Sequence, residues 1–159
     1  MARAPTTPPT TQPSVADESE RHAIVERLSA LSLPLMWSLR QRAMQVYEPL
    51  GVRPTRVLLM ELVDRGIDRP KQIAEVLEAV PPAVTAMVNE LMEKGWLARE
   101  QDAGDRRRVH LWLTPSGREA LAGLRRAWHD AERADLERID TDQLRTVLHV
   151  FESLLGGRP

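Results

Sequence analysis

Residues 80–113 read VPPAVTAMVNELMEKGWLAREQDAGDRRRVHLWL, and this stretch decides how the rest of the chain is interpreted. In its first half, apolar side chains recur at the spacing of one face of an α-helix: Val84, Met87, Val88, Leu91 and Met92. Pro81 and Pro82 suit the first turn of such a helix, and Gly95 suits the left-handed position just after its end. The sequence therefore predicts an amphipathic helix over Pro81–Lys94.

The second half of this stretch has the pattern of two short strands. They are predicted at Trp96–Arg99 and Val109–Leu113, separated by a polar tip, Glu100–Arg108, that carries several arginines. Before the amphipathic helix, a shorter helix is expected to begin at Pro70, with Ile73, Ala74 and Leu77 facing inward. A short helix, a tight turn, a longer amphipathic helix and an arginine-bearing hairpin together predict a winged helix-turn-helix.

Three motifs in and after this stretch resemble the signature of MarR-type transcriptional regulators. They are KGWLAR at residues 94–99, DAGDRRR at 102–108 and LTPSG at 113–117. In that family the pattern reads roughly K-G-L-hydrophobic-x-R, D-x-x-D-x-R and L-T-x-x-G, and the spacing matches throughout. The resemblance extends over about residues 17–157. It implies a sequence-specific regulator, a ligand-responsive repressor that binds double-stranded DNA at a pseudo-palindromic operator as an intertwined homodimer.

The expected fold is mainly α with a small β-wing: a winged helix-turn-helix flanked by N- and C-terminal dimerisation helices. We expect a disordered Pro/Thr-rich tail at residues 1–15, because it lacks the apolar content to form a core. Residues 16–159 are expected to form a single domain, with the winged helix-turn-helix at about 52–114 and the dimerisation helices at about 16–50 and 115–157.

Helix boundaries are expected at prolines, glycines and capping residues. The first long helix should run from about Ala16 to Tyr47, with Gly51 closing it, and should bend near Ser32–Pro34, because a proline inside a helix removes a hydrogen bond. The other helices are expected from Pro54 to Arg65, from Pro115 to about Ile139 after a Thr114 cap, and from a Thr141 cap onward.

The terminal helices carry broad apolar stripes that the winged helix-turn-helix does not need for its own core. In the last helix the stripe includes Leu148, Phe151 and Leu155. Such stripes can pack on each other as a three-helix bundle within one chain, or they can form a dimer interface. The resemblance implies the dimer, which would place two recognition helices at half-sites about one helical turn of DNA apart.

The face of the amphipathic helix opposite its apolar stripe contains the candidate base-reading residues, which are Pro82, Thr85, Ala86 and Asn89. Asn can pair with adenine through two hydrogen bonds, and a Thr hydroxyl or methyl can contact bases or phosphate. The same face carries Glu90 and Glu93 and has no basic residue before Lys94. This acidity raises an alternative function, a protein–protein adaptor that has kept the fold but lost DNA binding.

The wing supplies the other candidate DNA-binding residues, which are Arg99, Asp105, Arg106, Arg107 and Arg108. The resemblance implies that Arg107 enters the minor groove, where A·T-rich segments concentrate negative potential. It also implies that Asp105 holds the turn, since a carboxylate can orient a guanidinium.

A small-molecule site is also implied by the resemblance, because MarR-type proteins often bind aromatic or phenolic acids beside their dimerisation helices. The residues expected to border such an effector site are Met36, Trp37, Arg40, Met44 and Met60. An adaptable Met/Trp wall with one guanidinium suits an aromatic carboxylate. The alternative is ordinary core packing beside a surface arginine.

Composition narrows the remaining functions. The 159 residues include no cysteine, which excludes disulfides and thiol-based sensing, and the net charge of −1 means that DNA affinity must come from local patches. The histidines are scattered and no catalytic constellation is apparent, so we expect no metal, no cofactor and no enzymatic activity. With no membrane-spanning run and no signal peptide, a cytoplasmic location is expected.

Overall fold

A computed structural model describes residues 15–101 and 109–156 of the chain. In order, these form helices and strands as follows: α1 (Val15–Tyr47), a 3₁₀ turn (Glu48–Leu50), α2 (Pro54–Asp64), α3 (Pro70–Val76), α4 (Pro81–Glu93), β1 (Leu97–Gln101), β2 (Val109–Leu113), α5 (Pro115–Leu136) and α6 (Thr141–Gly156). The mainly α fold with a small β-wing is thereby confirmed. The tail predicted at residues 1–15 lies outside the described residues apart from Val15, which begins α1.

The chain divides into two compact units, Met1–Gln41 and Arg42–Pro159. In the first unit, the described residues belong to α1, which continues through Pro34 without interruption. Between residues 17 and 41, the apolar side chains of α1 are exposed, among them Leu28, Leu31 and Leu35. None of the helices formed by residues 15–101 and 109–156 combines the length and apolar character needed to cross a membrane.

The second unit contains a continuous hydrophobic core to which α2, α3, α4, both strands and α5 contribute. Its most completely buried side chains are Leu59, Met60, Ile73, Val84, Leu91 and Leu121. Within α2, Leu59 is fully buried whereas its neighbour Leu58 is 48 % exposed. The helical period places Leu59 one turn before Leu62 and Val63, which are also buried.

The helix boundaries follow the local chemistry closely. Helix α4 begins at Pro81 after the extended residue Val80 and ends at Glu93, one residue before the predicted end. Gly95 then adopts a φ of 71°, a left-handed conformation that favours glycine. The prediction that Thr141 caps α6 was wrong. The cap is Asp140, whose carboxylate accepts hydrogen bonds from the backbone nitrogens of Asp142 and Gln143, each at 2.9 Å.

The wing is an antiparallel hairpin in which Leu97 pairs with Leu113 and Arg99 with Leu111. Strand β1 begins one residue later than predicted and continues through Gln101. The loop before α3 adds a third backbone segment to β2, since the Leu111 amide donates to the Asp68 carbonyl at 2.9 Å. The Asp68 carboxylate also lies 2.7 Å from Nδ1 of His110. These contacts hold the base of the wing against the helix-turn-helix.

The LTPSG motif joins the end of α4 to the start of α5. Thr114 caps α5 as predicted, accepting from the Gly117 amide at 3.0 Å, and its hydroxyl also donates to the Gly95 carbonyl at 2.6 Å. Ser116 donates to the same Gly95 carbonyl at 2.8 Å. Because the Gly95 carbonyl, just after the end of α4, accepts hydrogen bonds from the first residues of the next helix, α4 and α5 are held in a fixed relation.

Helix α5 is attached to α2 by a charged cluster and to Tyr47, at the end of α1, by an aromatic pair. The Arg125 guanidinium donates to both carboxylate oxygens of Glu61 at 2.8 and 2.7 Å and to Asp64 at 2.7 Å. These hydrogen bonds, first that with Glu61, raise the pKa of Arg125 above its usual value. Tyr47 stacks on Trp128 with ring centroids 5.9 Å apart, and burial raises the pKa of the Tyr47 hydroxyl.

Candidate nucleic-acid interface

The exposed face of α4 carries all four of the candidate base-reading residues. Pro82, Thr85, Ala86 and Asn89 are exposed, while the predicted apolar stripe points into the core, with Val84, Met87, Val88 and Leu91 buried. The side chains available for contact are thus two hydrocarbon groups, one hydroxyl and one amide. The Thr85 hydroxyl is already engaged, because it donates to the Pro81 carbonyl at 3.1 Å.

The exposed face of α4 is less negative than the sequence suggests, because Glu90 forms an ion pair. Arg56 of α2 places Nε at 2.8 Å and Nη2 at 2.7 Å from one carboxylate oxygen of Glu90. The Arg56 side chain is 18 % exposed and that of Glu90 is 36 % exposed. A partly buried pair of this kind neutralises Glu90, so that Glu93 is the remaining exposed carboxylate of the face.

The structure describes part of the wing. Arg99 lies on β1 and is exposed. The other four candidate contacts, Asp105, Arg106, Arg107 and Arg108, lie outside the described residues, and their roles stay predictions from the resemblance. The base of the hairpin is held by the contacts of Asp68 with β2.

Two further cations were not singled out from the sequence. Arg53 and Arg69 immediately precede α2 and α3, in extended conformation, and both are exposed. Guanidinium groups beside helix starts are suited to phosphate oxygens, since the helix dipole and the side chain attract the same anion. In the sequence, the signal that could have identified Arg53 and Arg69 is their position directly before the helix-initiating prolines Pro54 and Pro70.

The residues assigned to an effector site differ widely in exposure. Met36 and Trp37 are 61 % and 63 % exposed and Met60 is fully buried, while Arg40 is exposed and Met44 is half-buried. Two surface cavities of the second unit, of about 500 and 340 Å³, are lined by other residues. The effector site therefore stays a prediction, and the enclosure of Met60 agrees with the packing role considered for it.

These features define a winged helix-turn-helix in which α3 and α4 are the two helices, one face of α4 is exposed, and β1 and β2 form the wing. Residues 54–109 match the model of the MarR family. The winged helix-turn-helix of this chain therefore matches the MarR family over these residues, in agreement with the resemblance.

Relatives with similar sequences come from Bacillus subtilis (strain 168). The chain is 39 % identical over 72 residues to the "Uncharacterized HTH-type transcriptional regulator YkoM", a match that covers 45 % of this chain and 47 % of the relative. It is 34 % identical over 94 residues to the "HTH-type transcriptional repressor MdtR", covering 56 % of this chain and 61 % of the relative. The chain thus spans about half of the length of these curated relatives.

The fold is similar to that of solved structures over a longer range. A mutant MarR from E.coli complexed with operator DNA superposes with a TM-score of 0.64, covering 82 % of this chain and 95 % of that one. Sequence identity is 19 %, so this likeness establishes the fold. It extends the similarity beyond the winged helix-turn-helix into the flanking helices.

Proposed function

We propose that the chain is a sequence-specific DNA-binding transcriptional regulator. The observation that carries the proposal is the exposed face of α4, which the core leaves uncovered beside a hairpin wing. The names of YkoM and MdtR, both of the helix-turn-helix type, support it. The pairing of Glu90 with Arg56 removes part of the motive for the adaptor alternative, because that carboxylate does not face DNA unpaired.

The proposal includes a homodimer that places two copies of α4 on a pseudo-palindromic operator. None of the side chains of α6 is buried in the single chain. Leu148, Phe151 and Leu155 are 57 %, 53 % and 65 % exposed, respectively. An intramolecular bundle would bury these side chains, whereas a partner chain can cover the whole stripe. Two-fold symmetry then repeats the DNA-reading face at a fixed spacing.

The regulator is proposed to act as a repressor that a small molecule releases. The relative MdtR is called a repressor, and the resemblance implies aromatic or phenolic acids as effectors. Met36, Trp37, Arg40, Met44 and Met60 remain the proposed border of the effector site.

Base reading and electrostatic attraction can be separated by two substitutions. We expect Asn89→Ala to narrow the affinity gap between operator and random DNA, with a loss of about 1–3 kcal/mol on operator alone. We expect Arg107→Ala to weaken binding to both DNAs and to lower the salt dependence by about 0.9 in log–log slope for each phosphate that the side chain neutralises. Fluorescence anisotropy titrations on both DNAs at several salt concentrations measure both effects.

Wild-type protein and the intergenic DNA beside its own gene provide the reference for these titrations. If the wild type binds neither DNA at low salt, the adaptor function replaces the regulator. If it binds but both variants behave like wild type, the assigned DNA-contacting residues are wrong although the chain binds DNA.

The effector site has its own test. We expect aromatic carboxylates to quench the fluorescence of Trp37 and to weaken operator binding, with Arg40→Ala reducing both effects because the guanidinium pairs with the carboxylate. A Trp37→Phe variant isolates the signal of this residue from those of the other tryptophans. If a broad panel of phenolic acids neither quenches the signal nor releases DNA, the assigned site does not exist.

A further inference from the structure

Helix α4 has no side chain that reads guanine in the usual way. From Pro81 to Glu93 it carries no lysine or arginine. In the major groove, guanine is most often recognised by Arg or Lys, which donate to its O6 and N7 acceptors. Any preference of α4 between base pairs must therefore come from other groups.

The guanidinium that contacts α4 is committed to a carboxylate. Arg56 directs Nε and Nη2 at Glu90 and Nη1 at the Thr55 hydroxyl, 3.1 Å away. The Nε and Nη1 donors form hydrogen bonds in this way, and Nη2 lies at ion-pair distance from the same carboxylate oxygen of Glu90. The Nε/Nη2 edge, one of those that can form a parallel pair of hydrogen bonds with a base, is occupied by Glu90. Glu90 thus occupies the edge of Arg56 that a pair of hydrogen bonds to a base would need.

Thr85 and Ala86 offer methyl groups on the exposed face. A threonine hydroxyl has one proton, and that of Thr85 is donated to the Pro81 carbonyl. Thr85 therefore cannot donate to the O4 acceptor of thymine without breaking this bond, whereas its methyl group remains available. Ala86, on the next position of the exposed face, has a methyl group as its whole side chain.

Thymine presents a 5-methyl group in the major groove, and apolar side chains contact it. We propose that α4 distinguishes A·T from G·C base pairs through the 5-methyl groups of thymine, which Thr85 and Ala86 contact, while Glu90 withholds Arg56 from guanine. This inference rests on the DNA binding proposed above and adds the chemical group that is read. Asn89 is the amide that completes the reading by pairing with adenine.

Deoxyuridine provides the direct probe, because it lacks only the 5-methyl group and pairs with adenine as thymine does. Duplexes are first selected from a random pool with the wild-type protein, and the selected sequence is then synthesised with deoxyuridine at each thymine in turn. We expect affinity to fall about fourfold for each buried methyl group removed, at one or two positions in each half-site. Deoxyuridine outside the half-sites is the control and should have no effect.

Two near-isosteric substitutions of Thr85 separate the methyl group from the hydroxyl. Thr85→Val keeps a methyl group and removes the hydroxyl, and we expect it to bind within about twofold of wild type and to keep the preference for thymine over deoxyuridine. Thr85→Ser keeps the hydroxyl and removes the methyl group. We expect it to lose about fourfold in affinity for thymine-containing DNA and to lose the deoxyuridine effect at one position. Thermal unfolding confirms that both variants are folded.

The role of Glu90 is tested by repeating the selection with Glu90→Ala. Once Arg56 is released, we expect the selected sequence to gain a guanine in each half-site, and we expect that guanine to disappear in the double variant Arg56→Met, Glu90→Ala. An unchanged sequence in Glu90→Ala contradicts the role assigned to this pair.

The outcomes distinguish this inference from the function on which it rests. If Thr85→Val loses binding while Thr85→Ser retains it, or if deoxyuridine has no effect at any position of a selected sequence, reading by methyl groups is wrong and DNA binding stands. If the wild type selects no sequence at all, specific DNA binding itself is wrong and both proposals are withdrawn.

Discussion

Gly117→Ala should destabilise the second unit by about 3 kcal/mol, at the upper end of the cost of overpacking a core. A Cβ atom at this position would lie 1.9 Å from the Trp96 carbonyl oxygen and 2.8 Å from its carbon. Both atoms are backbone, so no side chain can rotate away to make room. The strain must instead displace the start of α5 from the backbone that leads into β1. Urea unfolding at one protein concentration, monitored by tryptophan fluorescence, measures the loss.

Gly123→Ala is the matched control, because it makes the same substitution in the same helix. A Cβ atom at Gly123 meets only Nη2 of Arg126, at an ordinary 3.8 Å. Alanine is favoured over glycine inside a helix by about 0.5–1 kcal/mol, so this variant should be slightly more stable than wild type. Equal unfolding midpoints for Gly117→Ala and wild type would contradict the close approach of Trp96.

Phe151→Asp should convert a dimer into a monomer. Phe151 lies at the centre of the α6 stripe and is 53 % exposed in the single chain. Burying a phenylalanine contributes about 2 kcal/mol, and two-fold symmetry doubles the loss to about 4 kcal/mol, roughly a thousandfold in the dissociation constant. Two carboxylates placed in an apolar interface add a further cost. Light scattering should report the 18.0 kDa chain mass for the variant and twice that mass for wild type.

Ser153→Asp introduces the same charge on the opposite face of α6, where it should leave the dimer intact. Ser153 is exposed, and its hydroxyl donates to the backbone carbonyl of His149 within the helix. Circular dichroism checks that both variants remain helical. A wild type that is monomeric at micromolar concentration removes the dimer from the proposal, and a Phe151→Asp variant that stays dimeric moves the interface elsewhere.

Local chemistry in the sequence was sufficient to predict the order of the elements and most of their ends. The apolar stripe of α4, the proline at its start and Gly95 after its end act within a few residues of each other. The same holds for the Thr114 cap of α5. The cap of α6 was predicted wrongly, because the Asp140 carboxylate, and not Thr141, accepts from two amides of the first turn.

The motifs also indicated the family that the winged helix-turn-helix resembles, and the apolar stripe indicated which face of α4 is exposed. The sequence did not reveal why each motif position requires its particular residue. The glycine of LTPSG is required because α5 starts against the Trp96 carbonyl, which lies 21 positions earlier in the sequence. How close Gly117 lies to the Trp96 carbonyl depends on how β1 and β2 pair, and the periodicity of α5 contains no information about that pairing.

Tertiary structure alone decided the partners of the charged side chains. Arg56 pairs with Glu90 across 34 positions of sequence, His110 with Asp68 across 42, and Arg125 with Glu61 across 64. From sequence, Glu90 counted as an acidic residue of the DNA-facing side; in the folded unit it neutralises an arginine of α2. Periodicity tells which residues of one helix share a face, because that depends on backbone geometry alone. Which charges meet depends on how separate elements pack, and packing is set by the whole core at once.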